Sequence, residues 1–149
     1  MLLNTGNKSE AAIGFSTLYG DTAGAFAPLG NIYKTELYEL CRWRNAYQAV
    51  IPEAILTKAP SAELYDGAKD SDRLPPYEVL DDILGLYLED GLSADEIVLE
   101  GYAPELVQEV LETIAHNEYK RRCEPIAPLF ENIALTEERA WPITNRYSD

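Results

Sequence analysis

Apolar positions follow helical spacing over most of the chain. Val79, Leu80, Ile83, Leu84, Tyr87 and Leu88 recur three and four residues apart and stop at Gly91, which predicts a helix. Ser93 with Glu96 gives a capping-box signature for a short helix up to Gly101. Pro104 opens what reads as the longest helix, with Leu106, Val107, Val110, Leu111, Ile114 and Ala115 on one face, through about Cys123. Upstream, a helix capped by Ser9 or Asn7 is expected through about Tyr19, and another from about Lys34 to Asn45. "IPEAIL" reads as a short helix with Pro52 near its first turn.

Strand signals are scarce by comparison. "MLLNT" opens the chain as a strand, and "AFAPL" gives at most one more, very short. One strand, or one and a fragment, cannot satisfy its own backbone edges. An apolar strand feeding a polar turn and a helix is the ordinary exit of a parallel sheet covered on both faces. The pattern therefore predicts an α/β fold whose sheet continues in residues outside this chain, with the chain as the C-terminal part of a larger α/β domain. Residues 58–78 mix proline, glycine and alternating charge and read as a long ordered loop or a lid. "WPITNRY" reads as an extended tail, and no repeat, low-complexity tract or interdomain linker is visible.

Composition narrows the class. The 149 residues, 46% of them apolar, suffice for the core of one domain. The chain holds no apolar run long enough to span a bilayer and no basic-then-apolar leader, so a cytoplasmic protein without membrane span or signal peptide is expected. Cys41 and Cys123 form no CxxC pair and read as reduced thiols. A net charge of −14 argues against broad binding to nucleic acid or anionic membranes, but leaves room for a local basic pocket for phosphates.

In open α/β sheets, ligands sit beyond the carboxyl ends of strands, where helix N-termini present free N–H groups. Thr5, Gly6 and Asn7 lie at such an exit, and Glu10 sits on the first helical turn, where it also suits the helix dipole. Tyr19-Gly20-Asp21 is a Gly-Asp turn of common type. Lys34 serves equally as a surface lysine, and Lys120-Arg121-Arg122 as dipole compensation at the end of an acidic helix. Asp70 and Asp72 read as loop solubilisers. His116 is the only histidine, so a Cys-His dyad or a histidine metal site is not expected, and neither GxxxxGK[ST] nor GxGxxG occurs.

The stretch "TGNKSEAAIGFSTLYGDTAGAFAPLGNIYKT", followed by "KAPSAEL", "DSDRLPPYEVLD", "NEYKRR" and "WPIT", resembles the synthetase domain of the NAD synthetase family, in order and spacing closest to the glutamine-dependent type. The resemblance covers essentially all of residues 1–149 and implies the mostly helical C-terminal part of an adenine-nucleotide-hydrolase-like domain, Rossmann-like with a parallel sheet. It implies an ATP-dependent amide ligase that adenylates the nicotinate carboxylate of deamido-NAD and lets ammonia displace AMP, with Mg²⁺ neutralising phosphate charge. Carried over by position, Thr5, Lys34 and Ser61 contact ATP; Glu10 holds Mg²⁺ or faces deamido-NAD; Tyr119 and Lys120 contact deamido-NAD; Gly20 and Asp21 shape a turn. No catalytic residue is assigned. Implied partners are a glutaminase domain or other ammonia source, the N-terminal half of the synthetase domain, and further copies in a homodimer or larger oligomer.

Departures from the family pattern are as informative. The family's Ser-Gly-Gly-x-Asp-Ser pyrophosphate loop does not occur among these residues, so the chain by itself is expected to be inactive. "LFENIALTEERAWPIT" lacks the lysine usual before "PIT", although Ala134-Leu135 partly matches, and Ala68 or a neighbour replaces the usual lid glutamine. The alternative function is a degenerate, non-catalytic domain that binds an adenine nucleotide or a protein partner.

Overall fold

The computed structural model describes residues 1–61, 66–130 and 141–143. Among the described residues, seven α-helices follow in order: α1 (Lys8–Ile13), α2 (Lys34–Tyr47), α3 (Glu53–Thr57), α4 (Tyr77–Leu88), α5 (Ala94–Leu99), α6 (Pro104–His116) and α7 (Glu118–Arg121), with a 3-10 turn at Asp70–Asp72. The heptad-like spacing in residues 79–88 does what it predicts: Leu80, Ile83, Leu84 and Leu88 of α4 are buried. They meet Ile97 of α5, Val107, Val110 and Ile114 of α6, and Ala12 and Ile13 of α1. Each such aliphatic side chain contributes roughly 1.5–3 kcal/mol by leaving water. The Ser93–Glu96 capping box forms reciprocally and starts α5, and Pro104 occupies the first turn of α6.

Three expectations are corrected by the structure. The helix expected through Tyr19 ends at Ile13, because Gly14 takes a left-handed conformation (φ +65°) and turns the chain. A Cβ at Gly14 would also collide with the Asn117 side chain, so glycine is required there twice over. The long C-terminal helix breaks at Asn117 (φ −99°, ψ 12°), where backbone N–H and side-chain Nδ2 both donate to the Thr113 carbonyl. This leaves α2, with 14 residues, longer than α6 with 13.

The third correction concerns the strands. No strand forms among the described residues. Leu3 and Phe26 make one parallel bridge, framed by Ala25 N–H donating to Leu2 O at 2.9 Å and Asn4 N–H donating to Phe26 O at 2.9 Å. The second segment has one further backbone bond, Ala27 N–H donating to Ile126 O at 2.9 Å, still too little pairing for a ladder, and Met1, Leu2 and Leu3 stay exposed. Asn4 holds the crossing together: its Oδ1 accepts from Gly6 N–H at 2.7 Å, and its Nδ2 donates to the carbonyls of Asp21 and Ala23.

Of the expected loop at 58–78, Ala62–Tyr65 lie outside the described residues; the remainder carries the 3-10 turn and leads through Pro75-Pro76 into α4. The expected tail falls mostly outside as well, as do Ala134 and Leu135. Trp141 is described and stacks on Tyr87 with ring centroids 6.4 Å apart.

Candidate functional site

The site grows from the start of α1. Asn7 caps the helix: its Oδ1 accepts from Glu10 N–H at 3.0 Å while Glu10 Oε2 accepts from Asn7 N–H at 3.3 Å. Two of the helix's orphan donors are thereby satisfied. The other carboxylate oxygen, Glu10 Oε1, lies 2.8 Å from Lys34 Nζ, and both side chains are largely buried. Lys34 opens α2, and its ammonium also stands 5.3 Å from the centre of the Tyr77 ring on α4. Ser9 Oγ accepts from Lys34 N–H at 2.8 Å and donates to Asp81 Oδ1 at 2.5 Å. Asp81 Oδ2 in turn accepts from Thr35 N–H at 2.9 Å and Thr35 Oγ1 at 2.8 Å. One carboxylate on α4 thus closes the first turn of α2 onto α1.

Thr5, Glu10, Lys34 and Ser61 face a single cleft of about 350 Å³, with Asp21 on its rim. Ser61 Oγ donates to Ala68 O at 2.5 Å. Two further carboxylates line the cleft, Asp70 and Glu124. Asp70 is not a solvated loop residue: it is 5% exposed, accepts from the Tyr77 hydroxyl at 2.8 Å, and has a second oxygen with no hydrogen-bond partner. Burial, then the bond to Asp70, drives the Tyr77 phenol far above its ordinary pKa. Glu124 is pushed up to about 7 by burial, with Arg121 opposing and Glu10 adding to the rise. Asp70 also borders a second, larger cleft of about 510 Å³ between α2, α3 and the start of α4.

Tyr119 and Lys120 sit on α7, beside rather than within the main cleft. Lys120 Nζ donates to Gly14 O at 2.6 Å and Ser16 O at 2.9 Å, and so holds the loop whose Phe15, Ser16 and Thr17 line that cleft. The side chain also borders a small cleft of about 140 Å³ shared with Asp21 and Arg73. Tyr119 is 42% exposed. Asp21 Oδ2 accepts from Thr17 N–H at 2.7 Å, and Gly20 N–H donates to Thr17 O at 3.0 Å. The left-handed residue of this turn is Tyr19 (φ +62°) rather than Gly20.

Sequence reasoning passed over several groups on which the site depends. Arg121, expected with its two neighbours to compensate a helix dipole, is 1% exposed and donates to the carbonyls of Ala12 on α1 and Ile114 on α6, and to Glu118. Lys8 is equally buried, 2.5 Å from Glu89 and over the Tyr33 ring. Asp81 lies within "PPYEVLD", so the motif marked its neighbourhood though not its role. Among the described residues, no group of three or more His, Cys, Asp or Glu side chains is placed to hold a metal ion, and no helix is long and apolar enough to cross a membrane.

A lysine paired with a carboxylate, beside hydroxyl side chains in a common cleft, can offer charge and hydrogen bonds to a polar ligand. The NAD synthase family model matches residues 1–124, and the chain belongs to that family. It is 46% identical over 147 residues to a glutamine-dependent NAD(+) synthetase of Aquifex aeolicus, covering 99% of this chain and 26% of the relative. It is 46% identical over 151 residues to one of Thermotoga maritima, covering 100% and 26%. The chain therefore spans about a quarter of the length of the curated relatives it matches. The crystal structure of a glutamine-dependent NAD(+) synthetase from Cytophaga hutchinsonii aligns with a TM-score of 0.73 over 97% of this chain and 24% of that one. Its sequence identity is 23%, so the likeness is one of fold.

Proposed function

We propose that this chain forms the C-terminal part of the synthetase domain of a glutamine-dependent NAD synthetase. The whole enzyme adenylates the nicotinate carboxylate of deamido-NAD with ATP, releasing pyrophosphate, and ammonia then displaces AMP to give NAD. The observation that carries this reading is the convergence of Thr5, Glu10, Lys34 and Ser61 on one cleft in a chain of this family. On this reading Lys34 supplies positive charge to the phosphates of ATP, and Thr5 and Ser61 supply hydroxyl contacts that orient them. Tyr119 and Lys120 face deamido-NAD. Asp21 and Gly20 keep the turn beside the cleft in shape.

Mg²⁺ enters this reading with the nucleotide. Glu10 is the one carboxylate assigned to it, and each oxygen of Glu10 already has a protein partner. That donor set suits an ion carried mainly by phosphate and water rather than a protein-built centre. Glu10 would hold such an ion, which would supply positive charge to the phosphates of ATP.

The Leu3–Phe26 parallel pairing is, in this proposal, where the sheet of a Rossmann-like domain continues into the N-terminal half. The same reading places the protein in the cytoplasm, in a homodimer or larger oligomer, with a glutaminase domain as ammonia source. It also holds residues 1–149 inactive alone, since the pyrophosphate loop lies elsewhere. The test is a chimera in which this chain replaces the matching segment of the Aquifex aeolicus relative. It should form NAD from deamido-NAD, ATP and ammonia, and the 149-residue chain alone should not. An inactive chimera that folds, or steady NAD formation by the chain alone, overturns the proposal.

A further inference from the structure

We propose that Asp81 is a positioning residue that sets the Glu10–Lys34 pair, a role that rests on the ATP-binding reading of that pair. Glu10 and Lys34 stand on different helices, 24 residues apart in the chain, yet their side chains meet at 2.8 Å. Nothing in α1 or α2 alone fixes that distance. Each long side chain has several rotamers, and ordering both in one geometry costs conformational entropy. What fixes it is the backbone of α2's first turn. Lys34 N–H is held by Ser9 Oγ, the residue next to Glu10, and Thr35 N–H is held by Asp81 Oδ2.

Asp81 ties both of these together. Its Oδ1 accepts the Ser9 hydroxyl proton at 2.5 Å, which leaves the Ser9 oxygen turned to accept from Lys34. Its Oδ2 accepts twice from Thr35. The carboxylate is 7% exposed and stands on α4, the core helix, so the anchor is rigid. Its negative charge also meets the positive end of α2, which strengthens the bonds to Thr35. Because its bonds occupy the first N–H groups of α2, directly or through Ser9, that helix end is not itself the phosphate cradle. The cation lining the cleft is the Lys34 side chain, paired with Glu10 and aimed by this network.

The experiment is a double-mutant cycle in the chimeric synthetase described above, read as KM for ATP, kcat and thermal midpoint. Asp81→Asn keeps the shape and removes one acceptor; it should raise KM for ATP about tenfold, the scale of one lost charge-assisted hydrogen bond. Lys34→Met should raise it at least as much. In the Lys34→Met background, Asp81→Asn should add less than about twofold, because a residue that acts through Lys34 has nothing left to position. Additive effects, or a fall in thermal midpoint with KM for ATP unchanged, overturn the inference and leave Asp81 a residue of the fold alone. An unchanged KM on Lys34→Met overturns instead the ATP-binding reading on which it rests. Should Asp81→Asn fail to fold, Thr35→Val removes one of the four bonds without charge change and must show the same dependence on Lys34. In the 149-residue chain itself, Asp81→Asn should speed amide exchange of Lys34 and Thr35 while α5 and α6 keep theirs; unchanged exchange at those two amides also overturns it.

Discussion

Lys34 Nζ stands 2.8 Å from Glu10 Oε1, and the same carboxylate uses its other oxygen to cap α1 through Asn7 N–H. Glu10 therefore has two duties in one side chain. The first starts a helix of six residues; the second places a counter-charge beside the cation of the cleft. A helix-dipole residue needs only the first. The pairing with Lys34 exists only after α2 has folded onto α1, and it is this second duty that the proposed chemistry uses.

The two duties separate on Glu10→Gln. The amide can still accept from Asn7 N–H, so the cap survives and the fold should lose under about 1 kcal/mol. The charge beside Lys34 and the nucleotide is gone, and transition-state stabilisation in the chimeric synthetase should fall by about 2–4 kcal/mol, the scale of one preorganised electrostatic group. Measuring kcat/KM and thermal midpoint on the same protein checks both. Near-normal turnover would leave Glu10 with the cap alone.

What the sequence showed of this site, and what it hid, divides along contact distance in the chain. The Asn7–Glu10 and Ser93–Glu96 boxes are written three residues apart and were readable, although Ser9 was an equal candidate for the first cap. So was the apolar face of α4. Asp81 and Arg121 were not readable, because each is fixed by a partner far along the chain: Asp81 by Ser9 and Thr35, Arg121 by Ala12. Asp70 is fixed by Tyr77, only seven residues on, but no helical or capping spacing marks that pair. A charged residue in a polar stretch looks solvated until its distant partner is known. The early end of α1 is local, a left-handed cap at Gly14, while the close approach of Asn117 that also demands glycine there comes from more than a hundred residues later. The positions taken from family resemblance came together in and around one cleft, but periodicity by itself reached only the helices.

Arg121 makes the sharpest stability prediction. It is 1% exposed, and its guanidinium donates to carbonyls at the ends of α1 and α6 and to Glu118, itself 2% exposed; it also lies over the Trp141 ring. Arg121→Met would leave one oxygen of the buried Glu118 carboxylate and two carbonyls without this donor, with half-exposed Arg122 the carboxylate's remaining cation. The expected loss is about 3–5 kcal/mol, as for one partner removed from a buried ion pair. Arg122→Ala removes a half-exposed cation from the same glutamate and should cost under about 1 kcal/mol. Urea midpoints at constant slope measure the difference; equal losses would show that Arg121 is no anchor.

Glu124 gives a pH dependence with a definite sign. Its carboxyl, near 4.5 when unperturbed, is raised to about 7 by burial in the cleft wall. The folded chain then binds this proton more tightly than the unfolded chain. The stabilisation from this group is full below the unfolded value, and it is lost as pH rises through the folded value. Thermal midpoints should accordingly decline across about pH 5 to 7.5 on this group's account, and Glu124→Gln should flatten that part of the profile and raise the midpoint above pH 7. A variant whose profile keeps the wild-type slope would place the titration elsewhere.

Lys120 tests whether α7 serves the substrate or only the loop beside it. A dipole role predicts bonds from its ammonium to the last carbonyls of its own helix, but the structure shows it reaching across to Gly14 O and Ser16 O. Those two carbonyls belong to the loop that supplies Phe15, Ser16 and Thr17 to the cleft. Two bonds leave the ammonium one donor, enough for one phosphate or carboxylate oxygen of deamido-NAD. In the chimeric synthetase, Lys120→Ala should raise KM for deamido-NAD about tenfold or more, matching roughly 1.5–3 kcal/mol for a charge-assisted hydrogen bond. Arg122→Ala, whose cation turns away to Glu118, should change that KM little. The loop role has its own signature. If Lys120 only latches residues 14–16, Lys120→Ala should lower the thermal midpoint and raise KM for ATP and deamido-NAD alike, since both would share the slackened wall. A rise confined to deamido-NAD assigns the third donor to that substrate, and an equal rise for both, or none, removes Lys120 from its binding site.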